Sequence, residues 1–153
     1  MKNLFILLLV CISSSIFAQK TNFSGQWTIN KESTQFGDVP QWVIPKTIIV
    51  DQQKVKLILS RTSLNEQSEE LPAIVENLSL DGSPFQRTPD SGPVVITSMH
   101  WANDSSFALY RNGSNFATET WTLENGGKTL VINRLVEQDN GLKYSIKCVY
   151  DKQ

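Results

Sequence analysis

Residues 117–150 read ATETWTLENGGKTLVINRLVEQDNGLKYSIKCVY, and this stretch decides the fold. It contains three runs rich in Val, Ile, Thr and aromatic residues, a composition typical of β-strands. The runs are separated by Asn125-Gly126-Gly127-Lys128 and by Asp139-Asn140-Gly141, both typical of tight turns. We expect a two-residue Gly-Gly turn in the first segment and a three-residue turn with Gly141 in the left-handed conformation in the second. The stretch therefore predicts two consecutive β-hairpins.

The two turns also fix which residues lie opposite one another. The first turn places Trp121 opposite Ile132, and the second places Ile132 opposite Cys148. Both registers put one apolar set on the same face of the sheet: Ala117, Trp121, Leu123, Leu130, Ile132, Val136, Tyr144, Ile146, Cys148 and Tyr150. A slip of one residue in either hairpin would turn that strand's apolar residues to the other face. The agreement of two independently placed turns therefore supports the register.

Similar runs occur along the rest of the chain. With the three above, nine β-type runs are predicted: 23–30, 47–51, 54–60, 73–80, 93–102, 106–111, 116–124, 129–137 and 142–151. Consecutive antiparallel strands with one apolar face must close on themselves or form a sandwich, and short sequential connections favour closure. We expect an all-β fold, an eight- to ten-stranded antiparallel up-and-down barrel. Segments 62–70 and 83–92 are polar and are predicted to be loops.

Composition limits the class of protein. The chain has 153 residues, enough for one domain, of which 40% are hydrophobic and 19% charged. These fractions exclude a disordered chain and a protein with many membrane spans. A formal net charge of −1 argues against a protein that coats nucleic acid, so we expect no nucleic-acid partner.

The first residues have the layout of a secretory signal peptide. Lys2 precedes an apolar run at residues 4–12, and Ala18 provides a small residue for cleavage. The run is too short for a transmembrane segment. Lipid attachment at Cys11 is disfavoured because Val10, rather than a small residue, precedes it. We expect a signal peptide at residues 1–18, a single exported domain at residues 19–153, periplasmic or secreted, and no intramolecular disulfide.

Short motifs resemble those of a known family. Gly25-Gln26-Trp27 resembles the Gly-x-Trp signature of lipocalins and related calycin barrels. Asn30-Lys31-Glu32-Ser33, Gly127-Lys128-Thr129-Leu130 and Val149-Tyr150-Asp151-Lys152 are similar to motifs of exported bacterial lipocalin-like proteins. The Thr-Asp-Tyr motif of lipocalins is absent from this sequence. The resemblance implies a lipocalin-like barrel of ligand-binding size with no catalytic residues, in which Trp27 plugs one end.

Motifs of enzyme chemistry are not found. The sequence has one histidine, His100, with no second histidine or cysteine at metal-ligand spacing. Nucleophile-elbow, P-loop and dinucleotide-binding motifs are also absent. We therefore expect neither an enzyme nor a metal or cofactor site.

Charged residues on apolar strand faces are the best candidates for a binding site, because buried charges need partners. Glu119 and Arg134 lie opposite each other in the predicted register and can pair. Arg61 and Arg111 are left without an anion. Either they bind the carboxylate of an apolar ligand inside the barrel, or they lie at strand ends and reach solvent.

Two functions follow from this pattern. The first is an exported binding protein that holds a small apolar or amphiphilic ligand inside the barrel. We expect that ligand to be apolar or to bear a carboxylate. Its candidate ligand-binding residues are Arg61, Arg111, Glu119, Trp121, Arg134 and Tyr144. The alternative is an interaction module with a filled core, which binds a protein or surface glycan through loops 62–70 and 83–92. A wide apolar cavity would favour the first, and a packed interior the second.

Overall fold

Ten antiparallel strands form one sheet that curls into a nearly closed barrel in the computed structural model, which describes residues 20–153. The strands are β1 (Gly25–Ile29), β2 (Thr47–Gln52), β3 (Lys56–Thr62), β4 (Ile74–Ser79), β5 (Phe85–Arg87), β6 (Val95–Asn103), β7 (Ser106–Asn112), β8 (Asn115–Glu124), β9 (Thr129–Gln138) and β10 (Lys143–Lys152). Two short 3₁₀ helices span Gln41–Val43 and Asn125–Gly127. The signal peptide predicted at residues 1–18 lies outside the described residues.

The strand order is that of an up-and-down barrel. Across the sheet it is β4-β3-β2-β1-β10-β9-β8-β7-β6-β5. Strands that follow one another in sequence are therefore paired, except β4 and β5 at the two ends of the sheet, and β1 pairs with β10. The predicted fold class is therefore confirmed. Among residues 20–153, no helix is long and apolar enough to cross a membrane.

Both predicted hairpin registers are confirmed. Trp121 lies opposite Ile132, and Ile132 lies opposite Cys148. The first turn differs from the prediction, because residues 125–128 form a longer connection in which three successive residues have positive φ. Asn and Gly tolerate this conformation, which explains why Asn-Gly-Gly occurs here. Gly141 has the expected left-handed conformation, with φ of 80°.

Inward-facing side chains pack the barrel interior. The largest of them, all with less than 2% exposure, include Phe23, Trp27, Trp121 and Tyr150. They belong to a single apolar cluster to which every long strand contributes. The alternation of buried and exposed residues along each strand therefore encloses a core of side chains over much of the barrel's length.

The Gly-x-Trp motif has a local explanation. Gly25 has φ of +145°, and a Cβ atom there would lie 2.8 Å from Cε of Lys152. The Lys152 ammonium lies 5.1 Å from the centre of the Trp27 ring, so the lysine side chain crosses the space above Gly25 to cover the tryptophan. Trp27 is fully buried and donates a hydrogen bond from Nε1 to the Phe23 carbonyl oxygen at 3.0 Å.

One predicted loop contains a strand. Segment 83–92 was expected to be a loop throughout, but Phe85–Arg87 forms β5 and pairs with β6, with Arg87 opposite Val95. A strand of three residues is too short to show an alternating pattern, and Pro84 and Pro89 flank it. The prediction of a loop was therefore wrong for these three residues.

The two ends of the sheet, β4 and β5, meet along a seam. Thr97 on β6 donates a hydrogen bond from Oγ1 to Glu76 Oε1 on β4 at 2.8 Å. At the other end of the barrel, the amide of Gly82 donates to the Met99 carbonyl oxygen at 3.1 Å. Side-chain contacts and isolated backbone contacts thus hold β4 beside β6. The paired strands of the sheet are instead joined by ladders of backbone hydrogen bonds.

Candidate functional site

A pocket of about 180 Å³ lies at the end of the barrel where β3, β5 and β7 finish. Its polar lining consists of Arg61, Ser63, Glu76, Arg87, Arg111, Glu119 and Arg134. Its apolar lining consists of Val43, Pro45, Ile74 and Val95. The sequence contains four arginines, and all four line this one pocket, whereas no lysine of the described chain does. We refer to it as the arginine pocket.

Glu119 is the carboxylate that most arginines approach. Its Oε2 atom accepts hydrogen bonds from Nη2 of Arg61 at 3.0 Å and from Nε1 of Trp121 at 2.9 Å. Arg134 lies opposite Glu119 in the ladder, as predicted, but its Nε is 3.8 Å from Oε1 and makes no hydrogen bond. The expected Glu119–Arg134 ion pair is therefore present, but it is a long one, and the cation closest to Glu119 is Arg61. Arg61 reaches Glu119 across the barrel interior, a contact that pairing of neighbouring strands cannot predict.

Glu76 is the second carboxylate, and sequence reasoning missed it. It accepts a hydrogen bond from Nη2 of Arg111 at 2.7 Å and lies 3.7 Å from Nη1 of Arg61. Its position was open to prediction, because Glu76 alternates with the buried Leu78 and Leu80 and so belongs to the inner face. Arg61 and Arg111, left without an anion in the sequence analysis, thus have one within the protein.

The exposed fraction of each arginine side chain tests the alternative in which these residues reach solvent. The side chain of Arg61 is only 7% exposed, so that alternative is wrong for this residue. The side chains of Arg111 and Arg134 are 20% and 21% exposed, and those of the two glutamates are 5% or less. The carboxylates therefore lie deep in the site, and the partly exposed guanidinium groups lie nearer to solvent.

The positive charges of the pocket exceed the negative ones. Four guanidinium groups face two carboxylates, which leaves two positive charges in excess. Within residues 20–153, Nε of Arg87 and Nε of Arg134 are the buried side-chain nitrogen and oxygen atoms that have no hydrogen-bond partner. Arg87 was not among the candidate residues, because it lies on the short β5 strand. Buried donors of this kind are normally satisfied, so these two guanidinium groups are the least well paired of the four within the protein.

The charges perturb one another. Burial acts to raise the pKa of Glu119, but the attraction of Arg61, Arg111 and Arg134 outweighs it and lowers the pKa to about 2. Burial, followed by repulsion from Arg61, lowers the pKa of Arg111 to about 10. Both groups are therefore ionised at neutral pH.

No protein-family model matches this chain, and a search of curated proteins finds no match. The barrel is compatible with a calycin-like architecture. The chemical interpretation of the pocket therefore rests on its own geometry.

Trp121 and Tyr144, the other two candidate residues, do not line the arginine pocket. Trp121 is fully buried beneath the pocket, where it donates to Glu119 and its ring centre lies 5.7 Å from the Arg61 guanidinium carbon. Tyr144 does not line the arginine pocket and instead lies in a separate cleft with Trp42 and Leu142. The structure thus brings five of the six candidate residues together and leaves Tyr144 apart.

The arrangement is suited to holding an oxyanion. A guanidinium group presents several N–H donors in a plane, which match the oxygens of a carboxylate or phosphate. The aromatic and aliphatic core fills the barrel interior below the pocket. Within the described part of the chain, no group of three or more His, Cys, Asp or Glu side chains is placed to hold a metal ion.

Proposed function

We propose that this protein is an exported binding protein for a small ligand with an anionic group, and that the arginine pocket receives that group. The observation that carries the proposal is the excess of guanidinium over carboxylate groups in the lining of the pocket. A network that serves only stability would be expected to balance its charges, because uncompensated charge away from water is costly. An incoming anion supplies the compensating negative charge.

The size of the pocket limits what enters it. Pockets that enclose a whole drug-sized molecule measure roughly 300–1,000 Å³, whereas this one measures about 180 Å³. The pocket therefore fits an anionic head group. The remainder of an amphiphilic ligand would lie against the apolar residues Val43, Ile74 and Val95, of which Val43 and Ile74 are exposed.

This proposal changes where the ligand is expected to lie. From the sequence we expected a ligand inside the barrel, but large side chains such as Trp27 and Trp121 pack much of the interior. The ligand we now propose lies at one end of the barrel, with its charge next to Arg87 and Arg134.

Export is part of the proposal and depends on the N-terminal residues. The signal-like pattern of residues 1–18 and the resemblance to exported bacterial lipocalin-like proteins support it. N-terminal sequencing of the mature protein should begin at or close to Gln19. A mature chain that retains Met1, or one with lipid on Cys11, would contradict export by cleavage.

The packed interior favours a second candidate function, the interaction module that binds a protein or glycan through its loops. Loop 63–73 and residues 88–94 leave the barrel at the pocket end, and the nearby cleft exposes Trp42 and Leu142. In this case the arginine pocket would be an internal brace, and small anions would not bind to it.

Calorimetric titration with a small anionic amphiphile separates the two functions. We would titrate heptanoate and hexyl sulfate into the unmodified protein, into an Arg87→Gln/Arg134→Gln variant, and into Lys143→Gln. Lys143 is a matched control because it lies at the same barrel end in an exposed pair with Glu137. The proposal predicts binding to the unmodified protein and the control, and loss in the double variant. The proposal is contradicted if neither probe binds and hexyl phosphate does not bind either.

A further inference from the structure

Within the proposed binding function, on which this inference rests, we propose that the anionic group is a doubly charged phosphate monoester rather than a singly charged carboxylate. The charge of the pocket supports this assignment. Glu76 and Glu119 compensate two of the four guanidinium groups, and two remain. A dianion brings the pocket to neutrality, whereas a carboxylate leaves one positive charge uncompensated in a partly buried site.

The positions of Arg87 and Arg134 in the sheet also favour a phosphate. Arg87 is on β5 and Arg134 is on β9, and three strands lie between them in the sheet. Their side chains therefore enter the pocket from different walls. A carboxylate offers two oxygens in one plane, while a phosphate offers three strong acceptor oxygens in a tetrahedral arrangement. The tetrahedral group suits a pocket whose guanidinium groups come from separate strands.

The fourth oxygen of the phosphate carries the organic substituent. The apolar side of the pocket, formed by Val43, Ile74 and Val95, gives that substituent a surface to contact. A phosphate monoester can be a soluble molecule or the head group of a lipid such as phosphatidic acid, and both present the same dianion. Inorganic phosphate shares the charge but lacks the substituent.

Hexyl phosphate and hexyl sulfate form a pair of probes that isolates the second charge. The two have the same chain and the same tetrahedral head, but the sulfate is a monoanion at all relevant pH values. At pH ~7.5, where the phosphate is largely dianionic, we expect hexyl phosphate to bind at least about tenfold more tightly by calorimetry. At pH ~5.5, below the second phosphate pKa of about 6, this advantage should shrink to a few-fold.

Hexyl sulfate also controls for changes in the pocket itself. The charged groups that face the ligand are Arg61, Arg87, Arg111, Arg134, Glu76 and Glu119, and no histidine is among them. Any change in their ionisation between the two pH values would alter binding of both probes, whereas ionisation of the ligand alters only binding of the phosphate. The ratio of the two affinities is therefore the quantity to compare.

Single variants test the contribution of each excess cation. Arg87→Gln removes one of the two uncompensated charges, so it should weaken hexyl phosphate more than hexyl sulfate and bring the two affinities together. Arg134→Gln should act in the same way, and Lys143→Gln should change neither. Further titrations with inorganic phosphate, and sedimentation with phosphatidylcholine vesicles containing phosphatidic acid, identify the source of the phosphate. Either a soluble ester or a lipid head group supports the assignment.

The outcomes distinguish this inference from the proposed function. The phosphate assignment is overturned if hexyl phosphate, hexyl sulfate and heptanoate bind with equal affinity at both pH values. If the double variant loses all three, the proposed binding function still stands. Tighter binding of inorganic phosphate than of hexyl phosphate would overturn the monoester. Binding that the Arg87→Gln/Arg134→Gln variant retains, or no binding of any probe, would overturn both.

Discussion

Arg61 on β3 donates a hydrogen bond from Nη2 to Oε2 of Glu119 on β8, at 3.0 Å, across the interior of the barrel. Four strands separate β3 from β8 in the sheet, so this contact connects distant walls. Both side chains are at least 93% buried. The contact is a deeply buried ion pair of the arginine pocket, and it links the stability of the fold to the charge of the site.

Replacing Glu119 by Gln should destabilise the protein strongly. The change leaves Arg61 with only Glu76, at 3.7 Å, and loss of one partner of a buried pair costs about 3 kcal/mol. Chemical denaturation of Glu119→Gln measures this loss. The double variant Arg61→Met/Glu119→Gln should recover much of it, because no deep charge is then left uncompensated. Small and additive losses in the two single variants and the double variant would mean that the pair contributes little.

Arg87→Gln, unlike Glu119→Gln, should have little effect on the stability of the protein. Arg87 has no carboxylate within ion-pair distance among the described residues and lies in a pocket with an excess of positive charge. Its removal should change the free energy of unfolding by no more than about 0.5 kcal/mol, or should stabilise the protein slightly. Thermal and chemical denaturation of Arg87→Gln beside the unmodified protein test this. A loss as large as that of Glu119→Gln would show that Arg87 has a structural partner.

The stability of the protein should decrease in acid through Glu119. The pKa of this group is about 2 in the folded protein and 4.5 in the unfolded chain, so the unfolded chain binds the proton first as the pH falls. The stabilisation by Glu119 is therefore complete above pH 4.5 and disappears as the pH approaches 2. Denaturation midpoints measured through this range should fall more steeply for the unmodified protein than for Glu119→Gln. Parallel curves for the two proteins would contradict the assignment.

The thiol of Cys148 should be unreactive in the folded protein. Burial, and then the nearby negative charge of Glu119, raises the pKa of Cys148 to about 12, and the residue is only 3% exposed. Iodoacetamide at pH ~8 should modify Cys148 only in molecules that unfold, because the thiolate is the reactive form. Peptide mass mapping follows the rate, which should rise in Glu119→Gln and reach its maximum in denaturant. Rapid modification of the native protein would show that the barrel opens there.

Gly25→Ala should destabilise the barrel for two reasons. The φ of +145° disfavours an alanine, and the added Cβ would displace the Lys152 side chain from the Trp27 ring. We expect a loss of about 2 kcal/mol. Gly37→Ala is the matched control, because Gly37 also has positive φ, +59°, but a Cβ there would meet no atom within 4 Å. Equal losses in both variants would show that neither the φ of +145° nor the contact with Lys152 adds to the cost at Gly25.

The parts of the fold that were predictable are those with local causes. The two C-terminal hairpins have turns whose residues determine the register, and the alternation from Trp121 to Cys148 determines the inner face. Strand β5 could not be predicted because three residues carry no periodic signal. For the same reason Arg87, now central to the site, was absent from the candidate residues.

The site itself was only partly predictable. Alternation along a strand shows that Arg61, Arg111 and Glu119 face inward, and it would have shown the same for Glu76. It does not show which of them meet, because the Arg61–Glu119 and Arg111–Glu76 contacts join strands that are distant in the sheet. Such contacts depend on the curvature of the closed barrel, which no local pattern in the sequence encodes.

The most direct test of the central claim is an NMR titration of the arginine side chains. The sequence has only four arginines, all in the pocket, so a ¹⁵N-labelled sample should give four Nε–H signals. Addition of hexyl phosphate should shift the signals of Arg87 and Arg134 most, because Arg61 and Arg111 are already hydrogen-bonded to Glu119 and Glu76. The signals of Lys143→Gln should respond in the same way as those of the unmodified protein. If saturating anion leaves all four Nε–H signals unchanged, the arginine pocket is an internal brace and the account is wrong.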